Sequence, residues 1–151
     1  MNATETAPET APAMVEPTPR VLIVDDERAM QMLAGAIVDK LGYDFTCASS
    51  GEEAAELTKQ AIEEGNRYSV VVMDLALPGG MSGLEATIAI KQLDADAQVI
   101  VSSGYLEQNA RSAALEHGFA GILPKPYTAD RLASELKWVV KRSNASTQEN
   151  V

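Results

Sequence analysis

The chain has 151 residues, 46% hydrophobic and 23% charged, with a formal net charge of −10 and an isoelectric point near 4.5. That length suits one domain with a proper core and is too short for two full ones. The acidic balance, with no basic stripe, argues against non-specific binding to nucleic acid or to an anionic membrane surface.

A single cysteine, Cys47, excludes an intramolecular disulfide and a cysteine-based zinc site, and its place in Phe45-Thr46-Cys47-Ala48 suits a small buried side chain. No stretch approaches the roughly 20 apolar residues that span a bilayer. The amino terminus is acidic (Glu5, Glu9, Glu16) and has no basic n-region, so no secretory signal is expected and the cytoplasm is the default location. Residues 1–19, with Pro8, Pro12, Pro17 and Pro19 and few large apolar groups, cannot bury enough surface to offset their ordering entropy and are expected to form a disordered acidic tail. The stretch 143–151 reads as a polar carboxyl-terminal tail. One domain, 20–142, lies between them.

Within it, strand-like apolar runs alternate with helical patterns. Val21-Leu22-Ile23-Val24 is continuously apolar, the mark of a strand covered on both faces. Met30, Leu33, Ala34, Ile37, Val38 and Leu41 follow at helical spacing, stopped by Gly42. Tyr43 to Ala48 makes a more polar second strand, suited to a sheet edge. Ser50-Gly51-Glu52-Glu53 has capping-box spacing and opens a second helix ending near Gly65. The third strand is Ser69 to Met73. After Asp74 and the loop Leu75 to Met81, Ser82 and Glu85 form another capping box. Val99-Ile100-Val101 is the fourth strand, a helix with Ala110, Ala113 and Ala114 runs to Gly118, and Gly121-Ile122-Leu123 is the fifth strand. Thr128 caps a last helix with the apolar stripe Leu132, Leu136, Val139 and Val140. Five strands alternating with five helices predict an α/β fold, a five-stranded parallel sheet wound on both faces. No internal repeat is evident.

In a flavodoxin-like (βα)5 arrangement of strand order 2-1-3-4-5, strands 1 and 3 are neighbours, and ligands bind outside their carboxyl ends. Asp25-Asp26 closes the first strand and Asp74 closes the third. Three acids meeting at one sheet edge repel each other unless a cation sits among them, and oxygen-only ligands suit a hard ion such as Mg²⁺. Lys125, in Leu123-Pro124-Lys125-Pro126 after the last strand, adds a positive charge. The set reads as a site for an anionic phosphoryl group. The plain alternatives are that Asp25 and Asp26 cap the first helix, that Asp74 is a loop acid and that Lys125 is a solvated charge.

Four fragments in order, Val24-Asp25-Asp26-Glu27, Met73-Asp74-Leu75 with Pro78 and Gly83, Val101-Ser102-Ser103-Gly104 and Leu123-Pro124-Lys125-Pro126, resemble the receiver domain of two-component response regulators over Arg20 to Arg142. The Leu-Pro-Gly-Gly-Met-Ser-Gly loop and the Ser-Ser-Gly-Tyr stretch look most like receivers attached to hybrid sensor kinases. The resemblance implies that Asp74 is the phosphoacceptor, taking a phosphoryl group from a phosphohistidine or a small acyl phosphate. It implies that Asp26 ligates Mg²⁺ directly, Asp25 directly or through water, with Asp74 and the Ala76 backbone carbonyl completing the protein's ligands. Lys125 and Ser102 would contact phosphoryl oxygens, with Ser103 the neighbour that could take the role of Ser102. Glu27 reads as helix-start charge, and Pro126 fits a cis Lys-Pro bond.

The implied partners are a histidine kinase or phosphotransfer protein and an unknown downstream protein target, with no nucleic acid and no membrane. The implied chemistry is limited to the chain's own phosphorylation and dephosphorylation. The expected form is a stand-alone receiver or a piece of a longer regulator. Two rivals are a pseudo-receiver that only makes contacts, and a hydrolase with an aspartyl-phosphate intermediate, which resembles an Asp-x-Asp pattern that Asp74-Leu75-Ala76 lacks.

Two departures stand out. Where many receivers carry an aromatic switch residue, this chain has Ile122, so ring-swing signalling is not expected there, with Tyr105 a possible substitute. The loop after Asp74 is one residue longer, through Gly79-Gly80. Ala76 and Gly104 are small and leave the site without steric protection. His117 suits a helix carboxyl end, Met30, Met32 and Met81 suit core or loop packing, and Trp138 lies off the last helix's stripe.

Overall fold

The computed structural model describes residues 18–104, 116 and 118–149, the last six of these by backbone alone. The elements are β1 (Arg20–Val24), α1 (Arg28–Lys40), β2 (Asp44–Ala48), α2 (Gly51–Glu63), β3 (Val70–Asp74), α3 (Gly83–Leu93), β4 (Gln98–Ser103), β5 (Gly121–Pro124) and, last among the described residues, α4 (Ala129–Glu149). Most of the amino-terminal segment, Tyr105, and the expected helix with Ala110, Ala113, Ala114 and His117 lie outside the described residues.

The sheet is parallel throughout, in the order β2-β1-β3-β4-β5. Its alternating side chains separate two apolar layers. Leu22, Val24, Val71, Met73, Val99, Val101 and Ile122 pack with α2 and α3. Val21, Ile23, Val70, Val72, Ile100 and Leu123 pack with α1 and α4. All four apolar residues of β1 are at most 2% exposed, which is what a continuous apolar run requires of a strand covered on both faces. Each contributes up to roughly 1.5–3 kcal/mol of burial free energy.

Helix ends follow local chemistry. Gly42, at φ 85°, closes α1, with Tyr43 N donating to Val38 O and Gly42 N to Asp39 O. Gly65, at φ 71°, closes α2 in the same way, through Asn66 N to Ala61 O and Gly65 N to Ile62 O. These are Schellman caps, which a residue at positive φ makes possible. Ser50 caps α2 and Ser82 caps α3, the latter as a full capping box with Glu85. Thr128 Oγ1 accepts from Arg131 N at the start of α4.

The structure departs from the expected pattern in detail. Strand limits shift by one residue, β3 running Val70–Asp74 where Ser69 to Met73 was expected. Leu33 is 40% exposed, because the buried face of α1 is the narrower set Ala34, Ile37 and Val38, flanked by Met30 and Leu41. The polar stretch from Ser143 continues α4 to Glu149, since no glycine or proline follows Arg142 to stop it.

Gly83 brings the first turn of α3 against the end of β3. A Cβ there would strike the Asp74 carbonyl oxygen and Leu75 Cα. Gly83→Ala is expected to destabilise by about 1–3 kcal/mol, read as a lowered urea midpoint at constant m. Gly104→Ala, where a Cβ meets nothing among the described residues, should stay within about 0.5 kcal/mol. Equal midpoints for the two variants would show that the α3 contact yields freely.

Candidate functional site

Parallel register sets the site. Val24 lies opposite Met73, so Asp25 and Asp74 leave β1 and β3 side by side, and Asp74 lies opposite Ser102 on β4. Beyond the strands, Asp25 N donates to Ala48 O, Leu75 N to Ser102 O and Lys125 N to Ser103 O. The backbone ladder therefore extends to Asp25, Leu75 and Lys125 at the sheet's carboxyl edge.

The two buried carboxylates divide their oxygens alike. Asp25 Oδ1 accepts from Glu27 N at 2.9 Å, and Asp74 Oδ1 accepts from Ala76 N at 2.9 Å. Each closes a turn on its own backbone two residues on. The second oxygens face one donor: Lys125 Nζ lies 2.8 Å from Asp25 Oδ2 and 3.2 Å from Asp74 Oδ2. Glu27 Oε1 stands 3.9 Å from the same nitrogen, on an exposed side chain. The Lys125–Pro126 bond is cis.

Burial lowers the Lys125 pKa, but hydrogen bonds to and charges on Asp25 and then Asp74 outweigh it and hold the ammonium above its ordinary 10.5. A raised folded value stabilises at all pH below the unfolded one and loses that contribution only as pH rises through it. The group is charged at neutral pH.

Asp26 is exposed, yet one carboxylate oxygen each from Asp25, Asp26 and Asp74 lie within 4.8 Å of one another. Three hard anionic donors so placed fit a small divalent cation. Ser102 is 2% exposed, and its Oγ has no hydrogen-bond partner among the described residues. A buried hydroxyl without a partner costs about 1–3 kcal/mol, which an incoming acceptor would recover.

The structure thus brings together Asp25, Asp26, Asp74 and Lys125, sets Ser102 opposite Asp74, and ties Ala76 N to the Asp74 carboxylate. The N-cap of α1 is Glu27, with no side-chain cap, so neither Asp25 nor Asp26 is the cap. Ile122 is buried in the α2–α3 layer. Trp138 is 48% exposed, with Arg142 stacked 4.5 Å from its ring centroid.

Two neighbours escaped sequence reasoning. Gln31 Nε2 donates to Asp25 O at 2.6 Å and to Ser49 Oγ at 3.0 Å, tying the turn after β1 to the end of β2. A polar residue amid the apolar spacing of α1 was its only signal. Tyr127 is 8% exposed, and its hydroxyl is pushed up to about 12, first by burial and then by the charge of Asp25. Its place straight after Lys125-Pro126 was the available hint.

A tyrosine whose folded pKa is about 12, against about 10 unfolded, adds stability that is complete below pH 10 and lost as pH rises through 12. Tyr127→Phe should remove that alkaline slope and abolish the latest tyrosinate absorbance change. Retention of the late change in the variant would assign it to another ring.

The fold and site can be set beside known proteins. A sequence model of the response regulator receiver domain matches residues 21–137. The chemotaxis protein CheY of Thermotoga maritima is 33% identical over 123 residues, covering 81% of this chain and 98% of that protein. Hybrid signal transduction histidine kinase I of Dictyostelium discoideum is 26% identical over 141 residues, 87% of this chain but 8% of the kinase. The signal receiver domain of a LuxO repressor homologue from Vibrio parahaemolyticus superposes with a TM-score of 0.76 at 27% identity, covering 89% of this chain and 99% of that one. The chain belongs to the response regulator receiver domain family.

Proposed function

We propose that residues 20–142 act in the cytoplasm as a phosphoacceptor receiver, taking a phosphoryl group from a histidine kinase or phosphotransfer protein onto Asp74 and signalling to a downstream protein by contact. The observation that carries this reading is the meeting of Asp25, Asp26 and Asp74 beside Lys125 Nζ, with the Ser102 hydroxyl on the adjoining strand unpaired among the described residues. Family membership supports it.

An oxygen of Asp74 forms the new P–O bond while the P–N bond of the donor phosphohistidine breaks, its electron pair leaving with the imidazole. Asp74 is oriented for this by Ala76 N, which fixes one oxygen. Lys125, already bonded to Asp74, neutralises charge on a phosphoryl oxygen, where fixed positive groups stabilise a spreading negative charge. Ser102 Oγ donates to another oxygen and gains the acceptor it lacks. Bound by Asp25, Asp26, Asp74 and the Ala76 carbonyl, Mg²⁺ would supply further positive charge against the transferred group. Ile122 has no ring to swing, and Ser102 is the group that would report the phosphoryl group to the surface.

With acetyl phosphate and Mg²⁺, the wild type is expected to gain the mass of one phosphoryl group and Asp74→Asn none. Equal labelling of both would overturn the acceptor assignment, and labelling of neither by any donor would leave a contact-only module. In thermal melts, Asp26→Asn should be more stable than wild type without metal, because one like charge is gone. It should also lose the Mg²⁺-dependent rise, which for wild type is about 1.4 kcal/mol at tenfold excess over Kd. An undiminished rise in this variant would remove Asp26 from the metal's ligands.

A further inference from the structure

The loop from Leu75 to Ser82 carries Ala76 and is held at its ends by the site and by the α3 capping box. Leu75 N is bonded to Ser102 O and Ala76 N to Asp74, while Ser82 N donates to Glu85. Its middle turns through Gly79 at φ 64° and Gly80 at φ 41°, the extra residue of the longer loop. Leu77 is buried. Beyond it, Met81 N donates to Glu52 Oε2 at 2.8 Å. Among the described residues, no other side chain bonds the backbone between Leu77 and Met81.

Glu52 belongs to the first turn of α2, where an acid is favourable to the helix dipole wherever it points. Here its carboxylate is turned outward, and the neighbouring residues are shaped around it. A Cβ on Gly80 would lie 2.5 Å from Glu52 Oε2, which shows how close the carboxylate sits to the turn, while the φ of 41° by itself favours glycine there. A Cβ on Gly51 would lie 2.9 Å from Ala86 Cβ and 3.2 Å from Met81 Cβ, so the start of α2 also presses on this loop and on α3. Glu53 is engaged elsewhere, accepting from Ser49 N at 2.7 Å.

We infer that Glu52 is a positioning residue for the phosphoacceptor site: it clasps the Gly79–Gly80 turn and so holds the Ala76 backbone where a divalent cation needs it. This rests on the proposed phosphoacceptor function for its consequence, although the clasp itself does not. Losing the clasp lets the loop beyond Leu77 move, and the Ala76 carbonyl, whose oxygen accepts no bond among the described residues, shifts with it, while Asp74, held by Ala76 N and Lys125, stays in place. The effect therefore falls on metal affinity rather than on the acceptor's reactivity.

The test uses the full chain as wild type, Glu52→Ala and Glu52→Gln, the amide oxygen of glutamine still accepting from Met81 N. In metal-free protein, hydrogen exchange at Met81 N–H should rise about tenfold in Glu52→Ala, the loss of one charge-assisted bond, and stay near wild type in Glu52→Gln. The Mg²⁺ Kd should weaken by about fivefold in Glu52→Ala alone, with the phosphorylation rate recovering at saturating Mg²⁺. Unchanged exchange in Glu52→Ala, an unchanged Kd, or a Glu52→Gln variant as impaired as Glu52→Ala would each overturn the inference. Failure of the wild type to bind Mg²⁺ would instead overturn the proposed function and the positioning consequence drawn from it, while the exchange result still judges the clasp.

Discussion

The ammonium of Lys125 ties together the ends of three strands at the site's rim. It reaches from the end of β5 to the carboxylates that close β1 and β3, residues 100 and 51 positions away in the chain. Without it, two buried carboxylates would face each other with only backbone donors, and breaking such a buried pair typically costs about 3–5 kcal/mol. One cation against three acids still leaves the cluster negative. The protein so tolerates a local excess of charge that a cationic ligand can relieve.

Asp25 and Asp74 are rigid because neither is free to rotate. Each spends one oxygen on the backbone two residues ahead and the other on Lys125, so the orientation of the Asp74 carboxylate is decided before any ligand arrives. Gln31 anchors the carbonyl of Asp25 from α1, and Gly83 lets α3 close against the carbonyl of Asp74. Preorganisation of this kind suits phosphoryl transfer, where placement and fixed charge do most of the catalytic work.

Much of this was legible in the residues. Unbroken apolar runs at Val21–Val24 and Val70–Met73 can only be strands buried on both faces, and a parallel sheet then forces their trailing acids together. Ser82 with Glu85, and Gly42 and Gly65, announced helix ends through rules that act within a turn of chain. What escaped notice depends on contacts between distant segments. The exposure of Leu33 is decided by how α1 sits on the sheet, and the burial of Tyr127 by the packing of the layer with α1 and α4. Gln31 reads as an ordinary helix residue until the end of β2 is laid beside it. The carboxyl-terminal polar stretch lacks an apolar stripe, so only the absence of a stop signal pointed to a continuing helix.

Among the described residues, the sheet is a wall between two cores with no shared side chains, one under α1 and α4 and the other under α2 and α3. Substitutions in rooms separated this way combine nearly additively, since neither set of neighbours feels the other repack. One side of the molecule can therefore drift in shape while the other stays intact, and the acids along the wall's rim keep their spacing throughout. Such independence leaves the rim's chemistry insulated from changes on either outer face.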